Sequence, residues 1–454
     1  HKNVPDGDGP ATRVAGLPPA AALRTGRVRL LLSHPEQQDQ LVAVNPDITG
    51  QAVVTGDPTF DRLRASVPLR DDYRRALDAG QRAVIMLSST WGRASLFGQH
   101  RDLAGRLLGE LPADEYRVCL ALHPNIWARH GRATVRTWLA DCLDAGLHLL
   151  PPEGGWQATL LAADLLVGDH GSITLLGAAL GTPILLAAAG DLGDHGDGKG
   201  EVVAGTPVAD LLRVAPRLDT TGSFGSLRGQ VDQTIAGHDR NRFQAITTRV
   251  FAHVGEATDR LRDLLYRELG LTPPSAAPML RRLAEPGSEH HPALAFDVYA
   301  HYTTPATVTL TRYPRPVHDP TGPIRPSHGG QRHLTVDAQC VDLGLLEIAS
   351  VLTHHSPLPY ASARDWSVEA LRHYPGARVA AAATGHGCVA ALRDGRRVTV
   401  TSTRGDGASG DPTTVLGMVL GSTIYCCLLA GHLHDGPVTI HVGAHMIPVE
   451  LTVH

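Results

Sequence analysis

Short apolar runs, each followed by a polar turn and then an amphipathic stretch, recur through residues 28–270. The most regular instance spans 163–189. Leu165, Leu166 and Val167 read as a buried strand, 168–172 as a Gly-containing polar turn, and 173–180 as a helix. Gly181-Thr182-Pro183 stops that helix, and Ile184 to Leu186 form a second apolar run, which together predict a strand, helix and parallel strand. The same alternation predicts strands over 28–32, 52–55, 83–87, 116–122 and 147–150. Helices are predicted over 70–79, 99–111, 132–145 and 156–163, with a long amphipathic segment over 227–270. Strands that alternate with helices in this way predict a doubly wound, Rossmann-like parallel sheet.

The pattern changes after 272–292, a Pro-rich stretch read as a linker. Strand-type alternation follows over 295–300, 306–311 and 333–340, then a helix over 344–352. A meander over 377–383, 388–392 and 397–403 turns at Arg393-Asp394-Gly395, and an apolar helix over 413–430 precedes strands over 438–442 and 447–453. This predicts an α+β unit with a mainly antiparallel sheet.

A chain of 454 residues, 43% of them hydrophobic, carries apolar mass for two or three cores, so more than one domain is expected. The formal net charge of -4 leaves no electrostatic footprint for nucleic acid. Six cysteines without a C-x-x-C pair read as thiols in a reducing compartment, and the first ten residues lack the apolar core of a secretory signal, so a cytoplasmic protein is expected. The chain opens with His1 in a Gly- and Pro-rich stretch, which reads as the end of a domain and as a fragment of a longer protein.

Chemistry concentrates where predicted strands end. Ser88-Ser89-Thr90-Trp91-Gly92, His123-Pro124-Asn125, Pro151-Pro152-Glu153 and Asp169-His170-Gly171-Ser172 all follow apolar runs, and such loops converge at one edge of a parallel sheet. Hydroxyls, backbone N–H groups and a helix N-terminus there suit phosphate oxygens, and an imidazole can donate to a diphosphate. Asp169 and Ser172 read equally well as caps of the helix that follows. Trp91 and Trp127 read either as cleft walls for a base or sugar or as core. The acidic loop Asp191, Asp194, His195, Asp197, Glu201 reads as a solvated loop, and the histidines of the last hundred residues as surface or core groups, so no metal is expected.

The order His1-Lys2-Asn3-Val4-Pro5, Gly56-Asp57-Pro58-Thr59-Phe60-Asp61-Arg62-Leu63, Ser-Thr-Trp-Gly, His123-Pro124 and Gly168-Asp169-His170-Gly171-Ser172 before Leu180-Gly181-Thr182-Pro183 resembles the CDP-glycerol glycerophosphotransferase family. It is similar, more distantly, to UDP-N-acetylglucosamine 2-epimerases. The resemblance covers about residues 1–270. It implies a GT-B fold of two facing Rossmann-like halves: 1–75 as the tail of an incomplete acceptor half, 76–271 as the nucleotide-donor half with its crossing helix, 272–292 as linker and 293–454 as an α+β domain of unassigned role. It further implies a transferase with a CDP-polyol or UDP-sugar donor as substrate and no cofactor. Ser88, Ser89, Thr90, Asp169, His170, Gly171 and Ser172 would hold the donor, His123 would stabilise the leaving phosphate and His1 would be the base. The acceptor, a polyol, sugar or lipid-linked molecule at the inner membrane face, and the oligomeric state stay open. So do two other functions: a UDP-sugar epimerase with Glu153 in the cleft, and an idle nucleotide-sugar-binding scaffold.

Overall fold

The computed structural model describes residues 18, 20–188, 205–222, 225–304, 307–318, 330–354, 356–402 and 413–454. Two strands near the N-terminus, β1 (Leu30–Leu32) and β2 (Ala52–Val54), pair in parallel around the helix Pro35–Val44. The next five, β3 (Ala83–Ser89), β4 (Tyr116–Leu122), β5 (His148–Leu149), β6 (Leu165–Gly168) and β7 (Ile184–Leu186), form one parallel sheet in the order β5-β4-β3-β6-β7. Helices cover both faces. Val84, Met86 and Leu166 face one buried cluster, while Ile85, Leu87, Leu165 and Val167 face the other. Burial on two sides is why these strands read as unbroken apolar runs.

Several predicted helices are shorter than expected. The segment 99–111 divides into Leu96–Gln99 and Leu103–Glu110, because Ser95 caps an earlier start through its Oγ and His100, at φ -133° and ψ 65°, leaves the helical region. The segment 132–145 divides at Leu139, and a further helix, Pro124–His130, precedes it, ended by Gly131 at φ +80°. The amphipathic segment 227–270 holds three helices, Ser226–Ala236, Gln244–Thr247 and Ala257–Glu268.

The segment 55–63 is a fastening. Gly56 lies at φ +85°, where a Cβ would stand 2.8 Å from the Ala252 carbonyl. The Asp57 carboxylate caps the helix Pro58–Ser66 by accepting from Thr59 N and Phe60 N, at 2.7 and 3.2 Å. Asp61 reaches across to the start of Ala257–Glu268, accepting from Gly255 N and Ala257 N. Arg62 donates to the carbonyls of Arg281 and Arg282.

Those carbonyls belong to the Pro-rich stretch 272–292, which lies fastened against the sheet unit. Tyr73 Oη donates to the Leu283 carbonyl, Leu283 is buried, and Glu289 exchanges two backbone hydrogen bonds with Leu149 on the outer edge of β5. The stretch is therefore a strap. Its end is pinned by two stacked imidazoles, His148 and His290, with centroids 4.0 Å apart, and by Ser288 Oγ at 2.9 Å from His148 Nδ1. Burial, helped by the Arg117 guanidinium, pushes His290 down to about 4 and His148 further below its ordinary value. The unfolded chain binds protons at these rings near pH 6.5, whereas the folded chain does not until about pH 4. Stability is thus full above pH 6.5 and falls as the pH drops toward 4. Urea midpoints measured across that window should decline, and His290→Gln should flatten part of the decline; a wild-type profile without a decline refutes the pinning.

Beyond the strap lie β8 (Ala295–Thr304), β9 (Thr307–Pro314), β10 (Gln331–Asp337), β11 (Val351–His354), β12 (Val379–Thr384), β13 (Gly387–Leu392), β14 (Arg397–Ser402), β15 (Gly436–Val442) and β16 (His445–Val453). Most neighbouring pairs are antiparallel, as expected, but β10-β11, β11-β12 and β9-β15 are parallel, and the nine strands close into a barrel. The predicted helix 344–352 is Leu343–Ile348, with β11 starting at Val351. The apolar helix Thr413–Leu429 fills the barrel, where Val419, Leu420, Ile424 and Cys427 meet inward residues such as Val298, Val351, Ala381 and Ile440. Gly421 lets it approach the wall, since a Cβ there would lie 3.0 Å from Val351 Cγ1 and 3.2 Å from Ala381 Cβ. The helix Tyr360–His373 packs on the outer face of β12 and β13. Among the described residues no helix is long and apolar enough to cross a membrane.

Candidate functional site

The chain runs from β3 outward through β4 to β5, then returns to place β6 on the other side of β3. The winding reverses between β3 and β6, and a crevice opens outside the carboxyl ends of such strands. The loops after β3 and β6 flank that point, with His123 beside them at the end of β4.

Asp169 joins the two loops. Its carboxylate is fully buried and accepts four hydrogen bonds: Oδ2 from Thr90 N at 2.7 Å, Thr90 Oγ1 at 2.7 Å and Leu96 N at 3.0 Å, and Oδ1 from Gly171 N at 3.0 Å. Thr174 Oγ1 donates to the Asp169 carbonyl. Gly171 is required by the closeness of the loops, since a Cβ would stand 2.7 Å from Thr90 Cγ2. Asp169 is thus a positioning group, its oxygens spent on the chain itself.

The other predicted residues fall into two sets. Ser89 Oγ donates to the Thr90 carbonyl and accepts from Phe97 N, so it shapes the loop. Ser88 is buried and makes no side-chain hydrogen bond to a described residue, and Ser172 opens the helix Ser172–Leu180 half-buried. The first N–H groups of that nine-residue helix lie beyond its own hydrogen-bond ladder. His170 Nε2 lies 3.5 Å from Thr90 Oγ1. His123 Nδ1 accepts from Asn125 N at 3.1 Å, which places the ring proton of the neutral imidazole on Nε2. Trp91 is 49% exposed with its ring 6.5 Å from that imidazole, whereas Trp127 is buried. Glu153 is exposed and ion-paired with Arg132, 21 residues before it. His1 and the acidic loop 190–201 lie outside the described residues.

Charge favours an anion. No Asp or Glu occurs between Tyr116 and Ala140, a span that contributes exposed Arg129, and Arg132, whose charge is met by Glu153. Arg101, on the loop beyond β3, stacks over Trp138 with its Cζ 4.3 Å from the ring centroid. Sequence reasoning missed this arginine-rich flank, although the missing acids are visible in the residue order. It also missed Ser95 and Leu96, which complete the grip on Asp169.

No family model and no curated protein matches the chain. Among solved structures it is similar to the wall teichoic acid polymerase TagF, at 17% identity and a TM-score of 0.40 over 59% of this chain. That match covers 65% of TagF, so the chain spans less than two thirds of the polymerase. A glycosyltransferase from Rickettsia africae ESF-5 matches at 11% identity and a TM-score of 0.32, over 56% of this chain and 68% of that one. The Methanocaldococcus jannaschii UDP-GlcNAc 2-epimerase matches at 13% and 0.34, over 52% of this chain and 61% of that one.

Proposed function

We propose that residues 76–271 form the donor half of a GT-B-like transferase that uses a nucleotide-diphosphate-linked donor, a CDP-polyol or a UDP-sugar, with residues 1–75 as the tail of its acceptor half. The observation that carries this reading is the position of Thr90, His123 and the start of the helix Ser172–Leu180 around the point where the sheet reverses. Such a point supplies backbone N–H groups and a positive helix end to a diphosphate. Ser88 and Ser172 add hydroxyls, and Arg129 adds positive field. His123, with its proton on Nε2, donates to the diphosphate oxygen that gains charge as the donor bond breaks. Trp91 offers an exposed ring to the base or sugar. Asp169, His170, Gly171 and Ser89 set the shape of the loops that make these contacts. His1 stands as the proposed base on the acceptor side.

The test is the unfolding midpoint of the chain with CDP, UDP or GDP. One diphosphate is expected to raise it, with stabilisation of about 2.7 kcal/mol at a hundredfold excess over Kd. His123→Ala should weaken that binding about tenfold, one charge-assisted hydrogen bond's worth. If none of the three nucleotides shifts the midpoint, the donor-site reading is wrong.

A further inference from the structure

A cavity of about 170 Å³ lies at the opposite edge of the parallel sheet from the candidate donor site. Ile184, the first residue of β7, lines it, together with Pro216, Phe243, Gln233, His238 and Arg242. We propose that this cavity binds a small organic anion: a flat ring that carries one carboxylate or phosphate.

The chemistry of the walls points to that class. Ile184, Pro216 and Phe243 are apolar, and Phe243 belongs to the buried core, so part of the space suits a hydrophobic body. The volume leaves room for a six-membered ring with one charged group. No acidic side chain lines it among the described residues, while Arg242 does. The Arg242 guanidinium packs over the Phe243 ring, 5.5 Å from its centroid, and makes no ion pair with a described residue. His238 is held by donation from Nε2 to the Gly181 carbonyl at 2.8 Å, which leaves Nδ1 as its remaining polar atom. Asp239, the nearest acid in sequence, accepts from Asn241 N instead.

Two further arginines belong to neighbouring segments. Arg217 follows Pro216 in the chain and is exposed, and Arg240 lies against Gly181, where a Cβ would stand 3.5 Å from its Nε. Neither forms an ion pair with a described residue. One guanidinium without a carboxylate, beside the apolar side chains of Ile184, Pro216 and Phe243, is an arrangement that an anion with a hydrophobic body completes. His238 in the cavity wall bonds to Gly181 just past the C-terminal end of the helix Ser172–Leu180, and the candidate donor loop lies at the helix's N-terminal end, roughly 13 Å away along the axis. The two sites are separate.

Calorimetric titration of the full chain with benzoate and with phenyl phosphate tests the proposal, with inorganic phosphate and benzyl alcohol as probes that lack the ring or the charge. Wild type is expected to bind at least one ring anion more tightly than either partial probe. Arg242→Gln should weaken that binding about tenfold, the loss of one charge-assisted contact, and Arg242→Lys should weaken it less. Arg372→Gln, on the outer helix of the barrel, should leave it unchanged. Binding of neither ring anion up to about 10 mM overturns the proposal. Equal binding by wild type and Arg242→Gln overturns it too, as does displacement of the ring anion by CDP or UDP, which would put that ligand in the donor site.

Discussion

Replacing Asp169 by alanine is expected to lower the stability of the parallel-sheet unit on the order of 3 to 4 kcal/mol and to abolish nucleotide binding. The cost arises from what the side chain leaves behind. Thr90 N, Leu96 N and Gly171 N all point at a fully buried carboxylate, and without it three backbone donors lose their acceptor where water does not reach. Asp169→Asn should cost nearly as much. An amide has one acceptor oxygen and would present its NH2 group to N–H groups that already donate. Urea unfolding checks both variants. A loss under about 0.5 kcal/mol for Asp169→Asn, the range of an ordinary surface change, would show that the carboxylate does not hold the loops.

Asp114→Ala is expected to cost about 3–5 kcal/mol, because it strands the Arg312 guanidinium in a buried setting. The two side chains are 9% and 3% exposed and meet through two parallel hydrogen bonds, Nε to Oδ2 at 2.8 Å and Nη2 to Oδ1 at 2.5 Å. The pair joins the barrel to the turn before β4, next to the Ala113 N–H donating to the Arg312 carbonyl. Gly109 extends the same contact, since a Cβ there would stand 2.5 Å from the Val317 carbonyl. Asp114→Leu combined with Arg312→Leu should recover most of the loss, because the charges are then removed together. A double variant as unstable as the single one would assign the cost to packing instead of the ion pair. The single variant should also broaden or divide the unfolding transition, as the barrel and the sheet lose one of the anchors they share.

All five strands of the parallel sheet are legible in the residue order, because burial on both faces makes them largely apolar runs, broken only by Arg117 in β4, His148 in β5 and the serines that end β3. The loops that end them are legible for the same reason. The work of Asp169 is not. Its partners at 90 and 96 become neighbours only because β6 returns beside β3, and a local pattern carries no record of that crossover. The strap was hidden differently: Arg62 and Tyr73 hold it by the carbonyls of Arg281, Arg282 and Leu283, and a backbone acceptor leaves no side-chain signature. The barrel strands were visible as alternation, but their closure was not, since the pairing of β9 with β15 joins segments from the two ends of the region. The segment 55–63 shows the converse. Its Gly-Asp-Pro-x-x-Asp-Arg-Leu order carried the family resemblance, yet Asp57, Asp61 and Arg62 serve as caps and clasps.

The helix inside the barrel constrains the order in which the C-terminal region can fold. Thr413–Leu429 lies in the chain between β14 and the last hairpin, β15 and β16, and that hairpin supplies the seam by pairing with β14 on one side and β9 on the other. The wall can therefore close only after the helix has been made, so the region waits for β15 and β16 before its core is sealed. Long-range pairings of this kind fold slowly. During synthesis the apolar helix spends that interval uncovered, which makes the arrival of β15 and β16 the step that decides between a sealed barrel and an aggregate.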